Sequence, residues 1–281
     1  MATPLAQDPM LPRRFRVRRA WKELADVTTL ELEPVDGEMP PFAPGQFNML
    51  YAFGFGEVAI SISGDAADTG KLTHTIRNVG AVSGVLAGVC DGDVIGVRGP
   101  FGSAWPVEEQ AGRHIMFVAG GLGLAPLRPA IYHVLNNRDR YSGMTLVYGA
   151  RSPDELLYAD EVREWKSRFD TEIEVTVDHA APGWTGQVGV VTVPLERTLA
   201  GDSGAEVSAF VCGPEIMMRF SVMSLTAAGV PEDRIWISME RNMKCAIGFC
   251  GHCQFQGDFI CRDGPVFRHD KVSRLIAMKE I

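Results

Sequence analysis

The sequence predicts an antiparallel β-barrel, then an α/β unit built on a parallel sheet, then a small cysteine-bearing module at the C-terminal end. Three observations predict this. Six short β-rich segments, punctuated by Gly and Pro, fill the stretch from Arg14 to Arg98, the spacing of a small barrel. After Gly99-Pro100-Phe101-Gly102 the texture changes to apolar runs alternating with helical periodicity, as in βαβ units with right-handed crossovers. Four of the six cysteines then crowd into residues 245–261. At 281 residues, with 46% apolar and 22% charged, the chain has material for two cores and an appendage.

Residues 1–12 carry three prolines and no pattern, and are expected to be a flexible arm. Expected barrel strands are 15–21, 27–33, 46–51, 58–63, 72–77 and 93–97. In the first, Arg13, Arg14, Arg16, Arg18 and Arg19 interleave with Phe15, Val17 and Ala20, which reads as an edge strand with a charged outer face. A short helix follows Gly80-Ala81-Val82-Ser83 and ends at Asp91-Gly92-Asp93. Residues 114–119 form a continuous apolar run, the mark of a buried parallel strand. A glycine-rich turn, a helix over 126–136 and a strand over 144–148 complete one βαβ unit. A helix over 159–169, strands over 172–177 and 207–211, a helix over 215–228 and a last strand over 234–238 continue the pattern.

Net charge is −8, which disfavours general nucleic-acid binding. No run of about 18 apolar residues occurs, so no membrane span is expected. The N-terminal stretch has no apolar signal core, so a cytoplasmic location with reduced thiols is expected.

The densest chemical signal is Glu240-Arg241-Asn242-Met243-Lys244-Cys245-Ala246-Ile247-Gly248-Phe249-Cys250-Gly251-His252-Cys253, with Cys261 after seven further residues. The spacing C-x4-C-x2-C, then a fourth Cys, is the plant-type [2Fe–2S] pattern with a near fourth ligand. Gly248 and Gly251 let the backbone wrap around a cluster, while Ala246, Ile247 and Phe249 shield it. Zinc is the competing reading, though zinc sites favour two short cysteine knuckles and only one is present. Two disulfides are the third, and they need an oxidising compartment. His252 lies between two candidate ligands; as a ligand it would make one cysteine redundant. Cys90 and Cys212 lie outside the pattern.

Gly120-Gly121-Leu122-Gly123-Leu124 joins a predicted strand to a predicted helix, where glycines let backbone N–H groups approach a pyrophosphate. A tight strand–helix turn is the plain alternative. Cys212-Gly213-Pro214-Glu215 ends a second buried strand in the same way. Two such turns on neighbouring parallel strands make a ligand crevice.

Gly80-x-x-Ser83, GPFG, GGLGLAPL, YGAR and CGPE, in this order behind a predicted barrel, resemble the ferredoxin–NADP reductase flavoproteins over about residues 14–238. The cysteine module is similar to that of the dihydroorotate dehydrogenase electron-transfer subunit. It is closer still to the gamma (diaphorase) subunit of cytoplasmic bidirectional [NiFe] hydrogenases and the matching subunit of anaerobic sulfite reductases. ERNMKC, GFCGHCQ and Cys261-Arg262-Asp263-Gly264-Pro265-Val266-Phe267 carry that narrower likeness.

The resemblance implies an FAD-binding barrel domain at 13–110, an NAD(P)-binding domain at 111–238 and a [2Fe–2S] module at 239–281. The family's Arg-x-aromatic-Ser flavin strand reads here Val58-Ala59-Ile60-Ser61, without its arginine, followed by Ile62-Ser63. Ser61 would bond the flavin ring and Ile60 cover its face. His74, Thr75 and Arg77 fall on the next flavin strand. Gly80-Ala81-Val82-Ser83 would hold the diphosphate at a helix N-terminus, or be simply a capped helix. Gly120-Gly121-Leu122-Gly123-Leu124 would hold the NAD(P) pyrophosphate, with Ala150-Arg151-Ser152 under the adenosine ribose and Asp154 and Glu155 nearby. Cys212, Gly213 and Pro214 would sit by the nicotinamide, with Ser61 and Cys212 in the hydride path. Cys245, Cys250, Cys253 and Cys261 would be the cluster ligands.

The implied activity is electron transfer between NAD(P)(H), FAD and the cluster, to or from a catalytic partner. A [NiFe] hydrogenase comes first; a sulfite reductase or dihydroorotate dehydrogenase is the alternative. No terminal substrate site is visible, so the cluster end is expected to meet further iron–sulfur subunits through Met243-Lys244 and residues 263–267. The rival class is a non-enzymatic redox or zinc-binding regulator.

Overall fold

The computed structural model describes residues 8–200 and 204–276. The first strands are β1 (Arg13–Leu24), β2 (Val27–Pro34), β3 (Phe47–Ala52), β4 (Gly56–Ser61) and β5 (Leu72–Arg77). Helix α1 (Ala81–Leu86) and β6 (Val94–Phe101) follow. They form one antiparallel sheet in the order β4-β3-β6-β1-β2-β5. Its concave side holds a core of Phe15, Val17, Leu30, Leu32, Leu50, Ile62, Leu72, Ile76 and Val97. The expected barrel is not closed: the end strands β4 and β5 share only an isolated bridge, Ile62 to His74. They part because every residue of β4 is half-exposed and residues 58–61 turn to line a cleft rather than a partner strand.

Strand β7 (His114–Gly120), α2 (Leu124–Asn136), β8 (Gly143–Ala150), α3 (Ala159–Lys166), β9 (Glu172–Val177), β10 (Gln187–Val188), α4 (Thr192–Leu199), β11 (Val207–Cys212), α5 (Glu215–Ala227) and β12 (Ile235–Ser238) build the second layer. The order is β10-β9-β8-β7-β11-β12, parallel throughout, with one further strand beside β12. Cores lie on both faces, with Phe117, Phe210 and Tyr148 on one and Met116, Val118 and Val211 on the other. This explains the unbroken apolar runs in the sequence. Strand β10 and helix α4 carry no strong local signal and were not expected.

The cysteine module contributes β13 (Gln254–Phe255), β14 (Asp258–Phe259), α6 (Ile260–Asp263), β15 (Val266–Arg268) and α7 (His269–Ile276). Strand β12 is therefore not the last. β15 pairs antiparallel with it, Ile237 opposite Phe267. An antiparallel edge strand caps a parallel sheet without a crossover. The module is also tied to the first sheet: Ser103 bonds the Val266 carbonyl at 2.8 Å and accepts from its N–H at 3.0 Å. Most of the expected arm, 1–7, lies outside the described residues. Pro9 is held, its carbonyl accepting from Arg98 at 2.7 Å.

Candidate functional site: a shared cleft and a four-thiol loop

A cleft of about 1450 Å³ opens where the two sheets and the cysteine module meet. Ile60, Ser61, Thr75, Arg77 and Ser83 come to it from the first sheet and α1. Gly120, Gly121, Leu122, Gly123, Ala150, Arg151, Cys212, Gly213 and Pro214 come from the second. Sites spread over more than 150 residues of sequence thus share one wall.

The rest of the expected residues stand behind that wall. Ile62 is wholly buried in the first core, because the strand alternates and Ser61 takes the cleft side. Ser63 is buried and bonds Thr75 at 3.1 Å. His74 is buried too; its Nδ1 lies 3.0 Å from the Ser61 carbonyl and its Nε2 has no partner. That fits a neutral ring with its proton on Nδ1, and burial lowers its pKa to about 4. It braces Ser61 from the rear. Gly80, Ala81, Val82, Leu124 and Ser152 do not line the cleft. Ser83 Oγ is spent on capping: it accepts from the Gly80 N–H at 3.0 Å and donates to the Gly80 carbonyl at 3.2 Å.

The glycine turns are needed sterically by each other as well as by any ligand. A Cβ on Gly123 would lie 2.3 Å from the Cys212 carbonyl oxygen, and one on Gly213 would lie 3.0 Å from the Gly120 Cα. Register pairing of Ala119 with Cys212 sets these turns side by side. Their backbone N–H groups form an edge on which an anion can sit.

Glu155, expected near the ribose, lines the cleft. Several other lining residues were not foreseen. Glu240, Arg241, Met243 and Phe255 project from the cysteine module, His269 from α7, and Asp178 from the end of β9. Glu240 is open to the cleft yet enclosed by protein, and that enclosure raises its carboxyl pKa. Burial, and then the Glu240 carboxylate, push the Cys212 thiol up, so it stays neutral. Asp178 had a signal, since it follows the strand β9 as an acidic residue usually follows a nucleotide-binding strand. Glu240 had none, because only the pairing of β12 beside β11 brings it to Cys212.

The four expected ligand cysteines gather at one loop. The thiol of Cys245 contacts that of Cys250, and Cys253 that of Cys261. Backbone N–H groups point at the sulfurs: Gly248 to Cys261 at 3.2 Å, Phe249 and Cys250 to Cys245 at 3.3 and 3.4 Å, and Cys261 to Cys253 at 3.4 Å. Ala246, Gly248 and Gly251 adopt φ of 65°, 72° and 79°, the left-handed turns that fold the loop around a centre. Burial raises the Cys245 thiol, but N–H donors from Ile247, Cys250 and Phe249 outweigh it and bring it down to about 6. Burial and the Cys253 thiol push Cys261 up to about 12.

All six cysteines are free thiols, and Cys90 and Cys212 lie outside the loop. Among the described residues no three His, Cys, Asp or Glu side chains are placed to hold one metal ion. Two thiol pairs with N–H donors aimed at sulfur fit two irons, each taking two cysteines. His252 is exposed, as is Phe249 beside Cys250 at 86%. Of the expected partner contacts, Met243 is instead buried in the second core and residues 264–267 are buried too, Val266 and Phe267 folded inward by the pairing of β15 with β12.

Comparison with known proteins agrees with this architecture. Residues 117–222 match the oxidoreductase NAD-binding domain family, and 240–273 the iron–sulfur cluster binding domain of dihydroorotate dehydrogenase B. Sulfhydrogenase 1 subunit gamma of Pyrococcus furiosus is 34% identical over 244 residues, covering 84% of this chain and 82% of the relative. A probable dihydroorotate dehydrogenase B (NAD(+)) electron transfer subunit of Methanothermobacter thermautotrophicus is 35% identical over 236 residues, covering 83% and 80%. Among solved structures, a chain described with an NADH-dependent reduced ferredoxin–NADP oxidoreductase superposes with TM-score 0.73 at 25% identity, covering 95% of this chain and 94% of that one. Phthalate dioxygenase reductase shares the fold, with TM-score 0.64 at 20% identity and coverage of 79% and 66%.

Proposed function

This chain belongs to the family of sulfhydrogenase gamma subunits and dihydroorotate dehydrogenase B electron-transfer subunits, and from that premise we propose that it carries electrons between NAD(P)(H) and a hydrogenase-type catalytic partner. It is an electron-transfer oxidoreductase subunit with NAD(P), FAD and iron–sulfur sites. One observation carries the residue assignment: the segment that leads into the thiol loop, through Glu240 and Met243, lines the same cleft as Ser61 and the two glycine turns.

A flavin bound here would supply hydride exchange with a nicotinamide, and an iron–sulfur cluster would supply transfer of single electrons. The chain supplies position and electrostatics. Ser61 offers a hydroxyl and Ile60 an apolar surface to a flavin ring held between the sheets. Arg77, beside Ser83 in the same wall, offers the positive charge that the strand's missing arginine would have given a diphosphate. The turns at Gly120 and Gly213 bring a nicotinamide toward Ser61, where Cys212, kept neutral, adds no competing charge. Glu240 offers a carboxyl to an amide. The pairs Cys245/Cys250 and Cys253/Cys261 would hold the cluster, and the loop's exposed rim at Phe249 and Cys250 is the face offered to the partner.

Among the described residues no helix is long and apolar enough to cross a membrane, which agrees with work in the cytoplasm. The match of residues 240–273 to the dihydroorotate dehydrogenase B cluster domain favours a second partner of that kind.

The test is anaerobic purification from native cells, with a visible spectrum and a hydrogen-dependent NAD(P) reduction assay. Flavin and iron–sulfur bands, with activity that vanishes when this subunit is stripped off, support the hydrogenase reading. Dihydroorotate-dependent activity of the complex would replace it with the second. A colourless zinc protein would overturn both.

A further inference from the structure

Arg98 is a buried charge on β6. Its neighbours on β6, Ile95 and Val97, fill the first core, while its own side chain is 1% exposed and points to the cysteine module. Nε and Nη2 donate to both carboxylate oxygens of Glu57, at 2.9 and 2.7 Å. Nη1 donates to the carbonyls of Pro9 at 2.7 Å and Cys245 at 3.3 Å, and Nη2 reaches that of Lys244 at 3.5 Å. Glu57 stands on β4 immediately before the strip that lines the cleft, and Cys245 is the first thiol of the loop. One ion pair therefore has one arm on each of the two sites.

Burying a guanidinium costs several kcal/mol unless its donors are all met. Here a bidentate carboxylate and backbone carbonyls meet them, in the planar fork that arginine has and lysine lacks. The carbonyls it holds belong to the loop that must stay at a set distance from the flavin strand. Its charge also lies in a low-dielectric region, where a cation beside a redox centre favours the reduced form and an anion the oxidised.

We propose that Arg98, held by Glu57, is a positioning residue for electron transfer: it clamps the cluster loop to the flavin strand, and the pair's two charges set the cluster's potential. This rests on the reading that the four cysteines hold a [2Fe–2S] cluster. Arg98→Gln leaves the Glu57 carboxylate uncompensated beside the loop. Glu57→Gln leaves the guanidinium uncompensated. The two substitutions therefore act in opposite directions, which loss of packing alone would not produce. Arg98→Lys keeps the charge and loses the fork.

The experiment is an anaerobic redox titration of the purified holoprotein, following the reduced-cluster EPR signal, with iron content measured in parallel. Arg98→Gln should lower the midpoint by about a tenfold change in the reduced-to-oxidised ratio, 59 mV for one electron, and Glu57→Gln should raise it by a similar amount. Arg98→Lys should keep the potential near that of the wild type while slowing NAD(P)H-driven reduction of the cluster several-fold. Should Arg98→Gln fail to fold, the rise in Glu57→Gln decides alone. Shifts of the same sign, or no shift in an iron-loaded Glu57→Gln protein, overturn the proposal and leave the cluster reading intact. Wild-type protein without iron overturns the cluster reading and this proposal with it.

Discussion

The hydroxyls of Thr75 and Tyr158 share a 2.6 Å hydrogen bond that joins the first sheet to the second. Tyr158 caps α3 from a left-handed conformation, φ 53°, with the Arg128 guanidinium 4.0 Å from its ring centroid. Thr75 also bonds Thr29 at 2.9 Å and Ser63 at 3.1 Å. This buried array holds together the two layers whose separation defines the cleft. Burial, offset only in part by Arg128, raises the Tyr158 pKa, so the phenol stays neutral.

Tyr158→Phe should therefore destabilise the protein by about 1 kcal/mol, the net worth of one buried hydrogen bond whose partner keeps other bonds. Urea unfolding should show a lower midpoint at unchanged slope. A wild-type midpoint would mean that the two layers are held elsewhere.

The thiol loop makes a discriminating set of variants. Cys245→Ser, Cys250→Ser, Cys253→Ser and Cys261→Ser should each lose most of the iron and the reduced-state EPR signal. Cys90→Ser and Cys212→Ser should retain both. The readouts are iron analysis and EPR on dithionite-reduced protein. Full iron in Cys261→Ser would remove it from the ligand set.

Asp178 and Glu155 line the cleft with Arg151, where the proposed function puts the adenosine of the dinucleotide. A carboxylate accepts from a ribose hydroxyl but repels a 2′-phosphate. Asp178→Asn should raise the NADPH-to-NADH ratio of kcat/KM about tenfold, equivalent to about 1.4 kcal/mol. An unchanged ratio in stopped-flow flavin reduction would show that Asp178 plays no part in the choice.

His74 gives the fold a pH dependence with a definite sign. Its folded pKa, about 4, lies below the 6.5 of the unfolded chain because burial disfavours the charged ring. Between those values the unfolded state binds a proton that the folded state refuses. The neutral ring's stability is thus intact above about pH 6.5 and lost as the pH falls toward 4, by about 3 kcal/mol in all. His133 and His269 are lowered by burial too and act in the same direction. The comparison is therefore between wild type and His74→Gln: the variant should lose less stability from pH 7 to 5 in urea titrations. Parallel curves would contradict the assignment.

Local signals carried much of this protein. Alternating apolar positions and Gly/Pro punctuation predicted every strand of the first sheet, and apolar runs predicted β7, β8, β9, β11 and β12. The spacing of Cys245, Cys250, Cys253 and Cys261 predicted a single four-thiol loop. These features depend on periodicity and on turns a few residues long, which the chain expresses wherever it folds. Other features depend on which distant segments pair, and no local pattern states that. The antiparallel return of β15 onto β12 buries Val266 and Phe267, and the parallel pairing of β12 with β11 brings Glu240 to Cys212. The parting of β4 from β5 replaces a closed barrel with a cleft. The bonds from Arg98 to Cys245 and from Thr75 to Tyr158 span 147 and 83 residues of sequence. Each is decided by the free energy of packing whole layers together, so only the tertiary structure brings Ser61, the two glycine turns and the segment leading into the thiol loop to one cleft.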